Sequence, residues 1–146
     1  MTEKKDLSQF QYGTFLINLL GIIYDPKTKK ILIGKRKNDK HLKKLTWCFP
    51  GGRPKYQEEL EHYLKHEIKL KTNLDTKITK IIYAKTYPEK REFLSIYYHC
   101  EITSNSEKEK AGNKFTKIKW IKPTEIKNYF KTSLHPKIEE YLKKLK

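Results

Sequence analysis

The sequence predicts an α/β fold in which a mixed sheet is covered by helices on both sides. Three observations carry that expectation. β-rich runs come in pairs joined by turn residues, at 14–33 and 78–102. Between the pairs, Leu60, Leu64 and Ile68 recur every four residues, the spacing of one buried helix face. The chain then closes on one more strand and two short helical segments, each opened by a proline. At 146 residues it fits one domain with a real core. Residues 1–10 read as a loose polar lead-in and 11–146 as that single domain.

Each element has its own warrant. Thr14 to Tyr24 is β-branched and aliphatic, a buried strand in which Gly21 marks one close backbone approach. Asp25-Pro26-Lys27-Thr28-Lys29 is a turn, and Ile31-Leu32-Ile33 completes a hairpin. Asn38 to Lys44 is a lysine-rich loop, and Trp47-Cys48-Phe49 a short apolar piece ended by Pro50. A helix is expected from Tyr56 to Thr72, stopped at Asn73. Ile78–Tyr87 and Phe93–Ile102 flank Pro88-Glu89-Lys90 as a second hairpin, and Ser104–Asn113 is a polar loop. Phe115–Ile121 reads as a strand and Thr124–Phe130 as a short helix behind Pro123. A last helix starts near Pro136 and buries Ile138, Tyr141, Leu142 and Leu145.

The chain carries 33 basic and 17 acidic residues, a formal charge of +16. Such a charge attracts nucleic acid, nucleotides or anionic membrane. Only Arg36, Arg53 and Arg91 are arginines, however. A surface shaped to grip phosphates usually uses the planar arginine fork. Lysine excess spread over the whole chain reads rather as compositional bias or a heat-adapted surface. Cys48 and Cys100 have neither metal-ligand spacing nor a disulfide framework. The N-terminus is too polar for a signal peptide, and Leu19–Ile23 is too short an apolar run to cross a bilayer. These features lead to the expectation of a cytoplasmic protein with no membrane partner.

The chemistry concentrates in CFPGGRPKYQEELEHYLKHEIKLKTNL, Cys48 to Leu74. Consecutive glycines before a helix let the backbone approach a ligand, and free N–H groups at a helix start favour an anion. A carboxylate-rich helix nearby suits Mg²⁺, which brings phosphates with it. Together these parts suit metal-assisted cleavage of a diphosphate.

The segment resembles the signature of the Nudix hydrolase family. That signature runs Gly, five residues, Glu, seven residues, then Arg-Glu-aliphatic-any-Glu-Glu-any-Gly-aliphatic. Gly52 fits the first position and Glu58 the Glu; His66 stands for the Arg, Glu67 for the next Glu and Ile68 for the aliphatic. Leu70 and Lys71 then replace the paired Glu residues, Asn73 replaces the Gly, and Leu74 fits the last aliphatic. FLINLLGIIYD and KKILIGKRK look like the family's opening hairpin, and WCFPGG like its approach to the motif. KIKWIKPTEIKNYF followed by LHPKIEEYLKKL looks like its closing strand and helices. The resemblance implies a three-layer α/β/α sandwich with a mixed sheet. It also implies hydrolysis of nucleoside diphosphate derivatives with Mg²⁺ or Mn²⁺.

On a helix, residues 67, 70 and 71 share one face. In the family that face carries three carboxylates around the metal; here it carries Glu67, Leu70 and Lys71. The stretch before Trp120 adds no acid. An ammonium at position 71 repels a divalent ion and impairs a conventional multi-metal site, leaving Glu67 as sole carboxylate ligand or base and Glu58 as a second catalytic candidate. Lys71 can instead take the metal's place and meet phosphate directly, or swing into solvent while Leu70 packs in a neighbouring gap. Gly51, Gly52, Arg36 and Arg53 are the other ligand-binding candidates, with Lys55 beside them; the bland reading of the charged ones is solvated surface. Glu58, His62 and His66 are spaced to line one face and hold a transition metal, though such residues are more often unliganded. In a milder role His66 braces Glu58. Tyr97, Tyr98 and Trp120 read as core or sheet-surface aromatics rather than a stacking platform.

Two functions follow. One is a binding protein on a Nudix scaffold, holding a nucleotide, a nucleotide sugar or RNA in a basic cleft. The other is a metal-dependent Nudix pyrophosphohydrolase working through Glu67 and recruited acids. An unrelated basic RNA-binding module has no motif to support it.

Overall fold

The computed structural model describes residues 12–37, 47–130 and 134–145. The expected lead-in and the lysine-rich loop Asn38–Lys44 lie outside them. The elements run β1 (Leu16–Asp25), β2 (Lys30–Arg36), β3 (Trp47–Cys48), β4 (Gly51–Gly52), α1 (Leu60–Thr72), β5 (Thr76–Tyr87), β6 (Lys90–Ile102) and β7 (Phe115–Ile121). A 3-10 helix (Pro123–Asn128) and α2 (Pro136–Lys144) close the chain.

The strands form one mixed sheet in the order β3-β2-β1-β6-β5, with β4 added to β1 and β7 to β2. Both expected hairpins are present, β1 with β2 and β5 with β6, each antiparallel. The centre is a parallel pairing of β1 with β6, in register from Leu16↔Phe93 to Tyr24↔Glu101. Parallel neighbours need a long crossover, and here α1 and β5 lie within it.

Side-chain alternation sends β1 into two cores. Leu19 and Ile23 join Leu32, Leu64, Ile68 and Leu74 beneath α1. Ile22 and Tyr24 join Ile31, Ile33, Ile121, Ile138 and Leu142 beneath α2. Helices therefore cover opposite faces, giving the three layers that the resemblance implies. Leu64 and Ile68 are fully buried, so truncating either to Ala costs about 2–5 kcal/mol. Gly21 makes the close approach expected of it. Its N–H donates to the Pro50 carbonyl at 2.8 Å, and a Cβ there would sit 3.0 Å from Ile68 Cδ1. This tie draws the Gly-Gly turn onto the sheet.

Helix α1 begins at Leu60, four residues later than the sequence suggests. Glu59 is still extended, at φ −71° and ψ 136°, and the Glu58 carboxylate accepts the Lys55 N–H at 2.9 Å. A side chain that captures a backbone N–H competes with helix formation there. The stop is as expected: Asn73 takes φ 65°, and its N–H reaches the Lys69 carbonyl at 2.9 Å. Instead of a helix over 124–130, the chain makes the tighter 3-10 turn Pro123–Asn128, with the Lys122 N–H held by Glu125 Oε1 at 3.0 Å. In α2, Ile138 and Leu142 are buried while Tyr141 and Leu145 are half-buried against the same core. No helix among the described residues is long and apolar enough to cross a membrane.

Candidate functional site

Strand β4 is the Gly-Gly turn itself. Gly51 and Gly52 pair with Leu20 and Leu19. A Cβ on Gly51 would fall 1.9 Å from the Leu19 carbonyl oxygen, so only glycine lets the turn lie this close to β1. A Cβ on Gly52 would fall 2.4 Å from the Tyr63 hydroxyl and 3.4 Å from Glu67 Cγ. The inner face of α1 is thereby pressed against the turn.

At the far end of that face Lys71 folds back. Its ammonium donates to the Gly51 carbonyl and pairs with Glu67 Oε2 at 3.5 Å. The two side chains are only 13% and 17% exposed. The buried Phe115 ring lies 5.8 Å from the ammonium. That ring fills the space left by Gly34, where a Cβ would meet it at 2.2 Å. Lys71 therefore does not swing into solvent. Leu70 does: it is 46% exposed, and the neighbouring gap proposed for it is not where it lies.

The electrostatics follow from this packing. Burial lowers the Lys71 pKa from its ordinary 10.5, with the Glu67 carboxylate opposing. Cys48 and Lys114 are within electrostatic reach of the same ammonium. Burial pushes the Cys48 thiol up to about 11 against the pull of Arg36 and Lys71. It pushes the Tyr63 phenol up to about 12, helped by the Glu67 carboxylate as charge and as hydrogen-bond acceptor. Near neutral pH the thiol and phenol are both protonated, so neither is a ready nucleophile.

A strap from the β6–β7 connection holds Lys71 from behind. The Lys110 N–H donates to the Thr72 carbonyl at 2.8 Å and the Gly112 N–H to the Lys71 carbonyl at 3.0 Å. The Asn73 amide donates to the Lys108 carbonyl at 3.0 Å. Carbonyls that a helix end leaves without intrahelical partners are satisfied in this way. A Cβ on Gly112 would lie 2.6 Å from the Leu70 carbonyl, so the strap too requires glycine.

The residues singled out by sequence separate into two groups. Gly51, Gly52, Glu67 and Lys71 meet at one point, with Arg36 at the end of β2 acting on the adjoining Cys48. Glu58 stands apart in the exposed turn before α1 and reaches Tyr63 only as a charge. Because Glu58 precedes the helix, the expected Glu58–His62–His66 face does not form. His62 and His66 are exposed, and among the described residues no contact joins His66 to Glu58. Arg53 turns the other way, its guanidinium 5.3 Å from the Phe93 ring centroid, and Lys55 is exposed. Tyr97 and Tyr98 are core residues as expected, and Trp120 is half-buried. The sequence reading passed over Tyr63, Phe115 and Cys48. The signal for Tyr63 was available: Tyr63, Glu67 and Lys71 lie four residues apart on one helical face.

A hard divalent ion needs several oxygen ligands. Among the described residues no three His, Cys, Asp or Glu side chains are grouped to hold a metal. The two oxygens facing the turn, from Glu67 and Gly51, are already joined to an ammonium. The residues present do not fit Mg²⁺ or Mn²⁺ at this point.

A family model described as NUDIX domain matches residues 15–145. No curated protein matches the chain. Among solved structures, it is similar to a NUDIX hydrolase from Nitrosomonas europaea, with a TM-score of 0.74 at 16% identity, covering 91% of this chain and 73% of that one. It is also similar to a MutT protein from Methanosarcina mazei Go1, with a TM-score of 0.68 at 13% identity, covering 91% and 94%. A structure titled UDP-X diphosphatase matches with a TM-score of 0.67 at 12% identity, covering 94% and 66%. At these identities the structural likeness speaks to the fold.

Proposed function

Because the chain belongs to the NUDIX domain family, we propose that its Gly-Gly cleft binds a nucleoside diphosphate derivative or another phosphate-bearing ligand without a divalent ion. Conventional multi-metal hydrolysis is impaired in this reading. The family generally acts on phosphate-bearing small molecules with Mg²⁺ or Mn²⁺. The observation that carries the departure is the Lys71 ammonium held between the Gly51 carbonyl and Glu67.

The chain's own groups do the following. Lys71 supplies one fixed positive charge at the turn. A ligand phosphate enters its hydrogen-bond shell beside the Gly51 carbonyl, and Arg36, which acts on the adjoining Cys48, extends the basic cleft, whereas Arg53 faces away onto Phe93. Glu67 orients the ammonium rather than serving as base, because its carboxylate is already engaged by Lys71. At about 4 Å and an effective dielectric near 20, one such charge contributes roughly 4 kcal/mol to a phosphate monoanion before desolvation. This supports binding but leaves no group to activate water.

Calorimetric titration with ADP-ribose and with a uridine diphosphate sugar, in the presence of EDTA, tests the reading. Binding should persist under chelation and weaken at least about tenfold in Lys71→Met, the loss of about 1.4 kcal/mol. Release of phosphate-bearing products from either compound on adding Mg²⁺ or Mn²⁺ would show instead an active pyrophosphohydrolase using Glu67 and recruited acids.

A further inference from the structure

At the rim where β1 begins and the β5–β6 hairpin turns, cations sit on aromatic rings. The Arg53 guanidinium is 5.3 Å and the Lys90 ammonium 5.5 Å from the Phe93 ring centroid. Lys85 is 4.2 Å from the Tyr87 ring centroid, and the Tyr87 hydroxyl is anchored to Ser95 Oγ at 2.7 Å. Phe93 is the register partner of Leu16. Leu16 and its neighbour Phe15 are 53% and 51% exposed. Among the described residues, none of Arg53, Lys85 and Lys90 forms an ion pair with a carboxylate, although Glu89 and Glu92 share the hairpin.

This arrangement is costly for the free protein. Like charges gathered at one rim repel, and the half-buried Phe93 with the exposed Phe15 and Leu16 retains a hydration cost. A cation–π contact at an exposed site returns only about 0.5–1 kcal/mol. A partner that neutralises the cations and covers the rings removes both costs. Phosphates alternating with flat faces is the chemistry of a single nucleic-acid strand, gripped elsewhere by basic grooves with stacking aromatics. A bilayer fits less well, because a flat anionic surface meets the whole hairpin tip at once, Glu89 and Glu92 included, whereas a single strand can follow the cations past them.

We infer that this rim binds single-stranded nucleic acid, with phosphates on Arg53, Lys85 and Lys90 and a base face against Phe93. The total charge of the chain does not single out this surface; the local pairing of cations with rings, without carboxylate ion pairs among the described residues, does. The rim is separate from Lys71, so it stands whether or not the cleft binds a nucleotide without metal.

Fluorescence anisotropy with a labelled oligouridine, at several salt concentrations, tests the inference on the full chain. Arg53→Gln with Lys90→Gln should weaken binding at least about tenfold. It should also flatten the slope of log K against log salt by about 1.4, two phosphate contacts at about 0.7 each. The matched pair Lys137→Gln with Lys143→Gln removes the same charge from α2 and should change binding less than about threefold. Phe93→Leu, which keeps the apolar bulk, should still weaken binding by about fivefold or more through lost stacking. Oligothymidine bound as well as oligouridine upholds recognition of phosphates and base faces; a preference for oligouridine upholds it and adds the 2′-hydroxyl. No oligouridine binding by the wild type overturns the inference. So do equal losses from the two charge pairs, which mean unspecific attraction. Loss of binding to phosphatidylserine vesicles in the rim pair with oligouridine binding unchanged assigns the surface to a membrane and overturns it as well.

Discussion

The two faces of the sheet each bury a polar cluster, and the clusters are built differently. Beneath α1, Tyr63, Glu67 and Lys71 come from successive turns of one helix and close on Gly51. Beneath α2, His99 is 6% exposed; its Nε2 lies 3.0 Å from Glu101 Oε2, and its Nδ1 is hydrogen-bonded to the Tyr141 hydroxyl. Tyr24 packs beside them at 5.9 Å between ring centroids, its hydroxyl buried without a partner among the described residues. Burial raises the pKa of both phenols. The second cluster joins β6 to α2 and acts as a fastener between elements. The first joins a helix to a turn that only glycine can form, and it sets a charge against that turn. Comparable burial thus joins two elements on one face and fixes a cation against the glycine turn on the other.

The comparison breaks most visibly at Lys71. Lys71→Met leaves the Glu67 carboxylate buried without its cation and should cost about 3–5 kcal/mol in urea unfolding. A loss below about 1 kcal/mol would mean that Glu67 finds water, and the cluster would then be no more than surface. The next effect is a gain. Leu70→Glu with Lys71→Glu sets two carboxylates beside Glu67, and the exposure of Leu70 keeps the packing loss small. With Mg²⁺ or Mn²⁺ at a hundredfold excess over Kd the double variant should gain about 2.7 kcal/mol of stability, read as a rise in Tm. Wild type should show no such rise. A folded double variant that ignores the ions would place the difference from metal-binding relatives in the turn rather than in residue 71.

Smaller effects sharpen the contrast. Tyr141→Phe removes one hydrogen bond from His99 and should cost about 1 kcal/mol, with nucleotide affinity unchanged in the same calorimetric titration. Coupled loss of both would join faces that the structure keeps apart. The smallest effect is a pH slope. The folded Lys71 pKa lies below the unfolded 10.5. Between the two values the unfolded chain holds more protons, so this residue favours the folded state increasingly as pH rises toward 10.5. Below the folded value both states are protonated and the gain is absent. Wild type should therefore improve relative to Lys71→Arg, whose guanidinium stays charged, as pH rises from the lowered folded value toward 10.5. A difference in urea midpoint that stays flat with pH would show that burial is not the dominant influence on this ammonium.

Much of this was legible in the residues. Four-residue apolar spacing marked α1, turn residues marked both hairpins, and Asn73 marked the helix stop. The co-facial placement of Glu67 and Lys71 is a property of any helix, so their meeting could be read without coordinates. The parallel union of β1 with β6 could not, because nothing local in either strand names a partner so distant in sequence. The late start of α1 escaped for a different reason. Glu58 and Glu59 favour a helix by composition, but the Glu58 side chain is committed to the Lys55 N–H. Phe115 escaped because its role depends on the hole left by Gly34, a residue on another strand.

That central pairing also sets an order of assembly. The β5–β6 hairpin closes over a two-residue connection, whereas Leu16 must find Phe93 across 77 positions of chain. Contacts so far apart are entropically expensive and form slowly, while hairpins form in microseconds. Gly51 has no fixed place until β1 is seated, since its own partner is Leu20. Lys71 can wind into its helix early, but its acceptor arrives only when β1 is in place. In a refolding experiment the phosphate binding proposed for this turn should therefore appear after the bulk of the secondary structure.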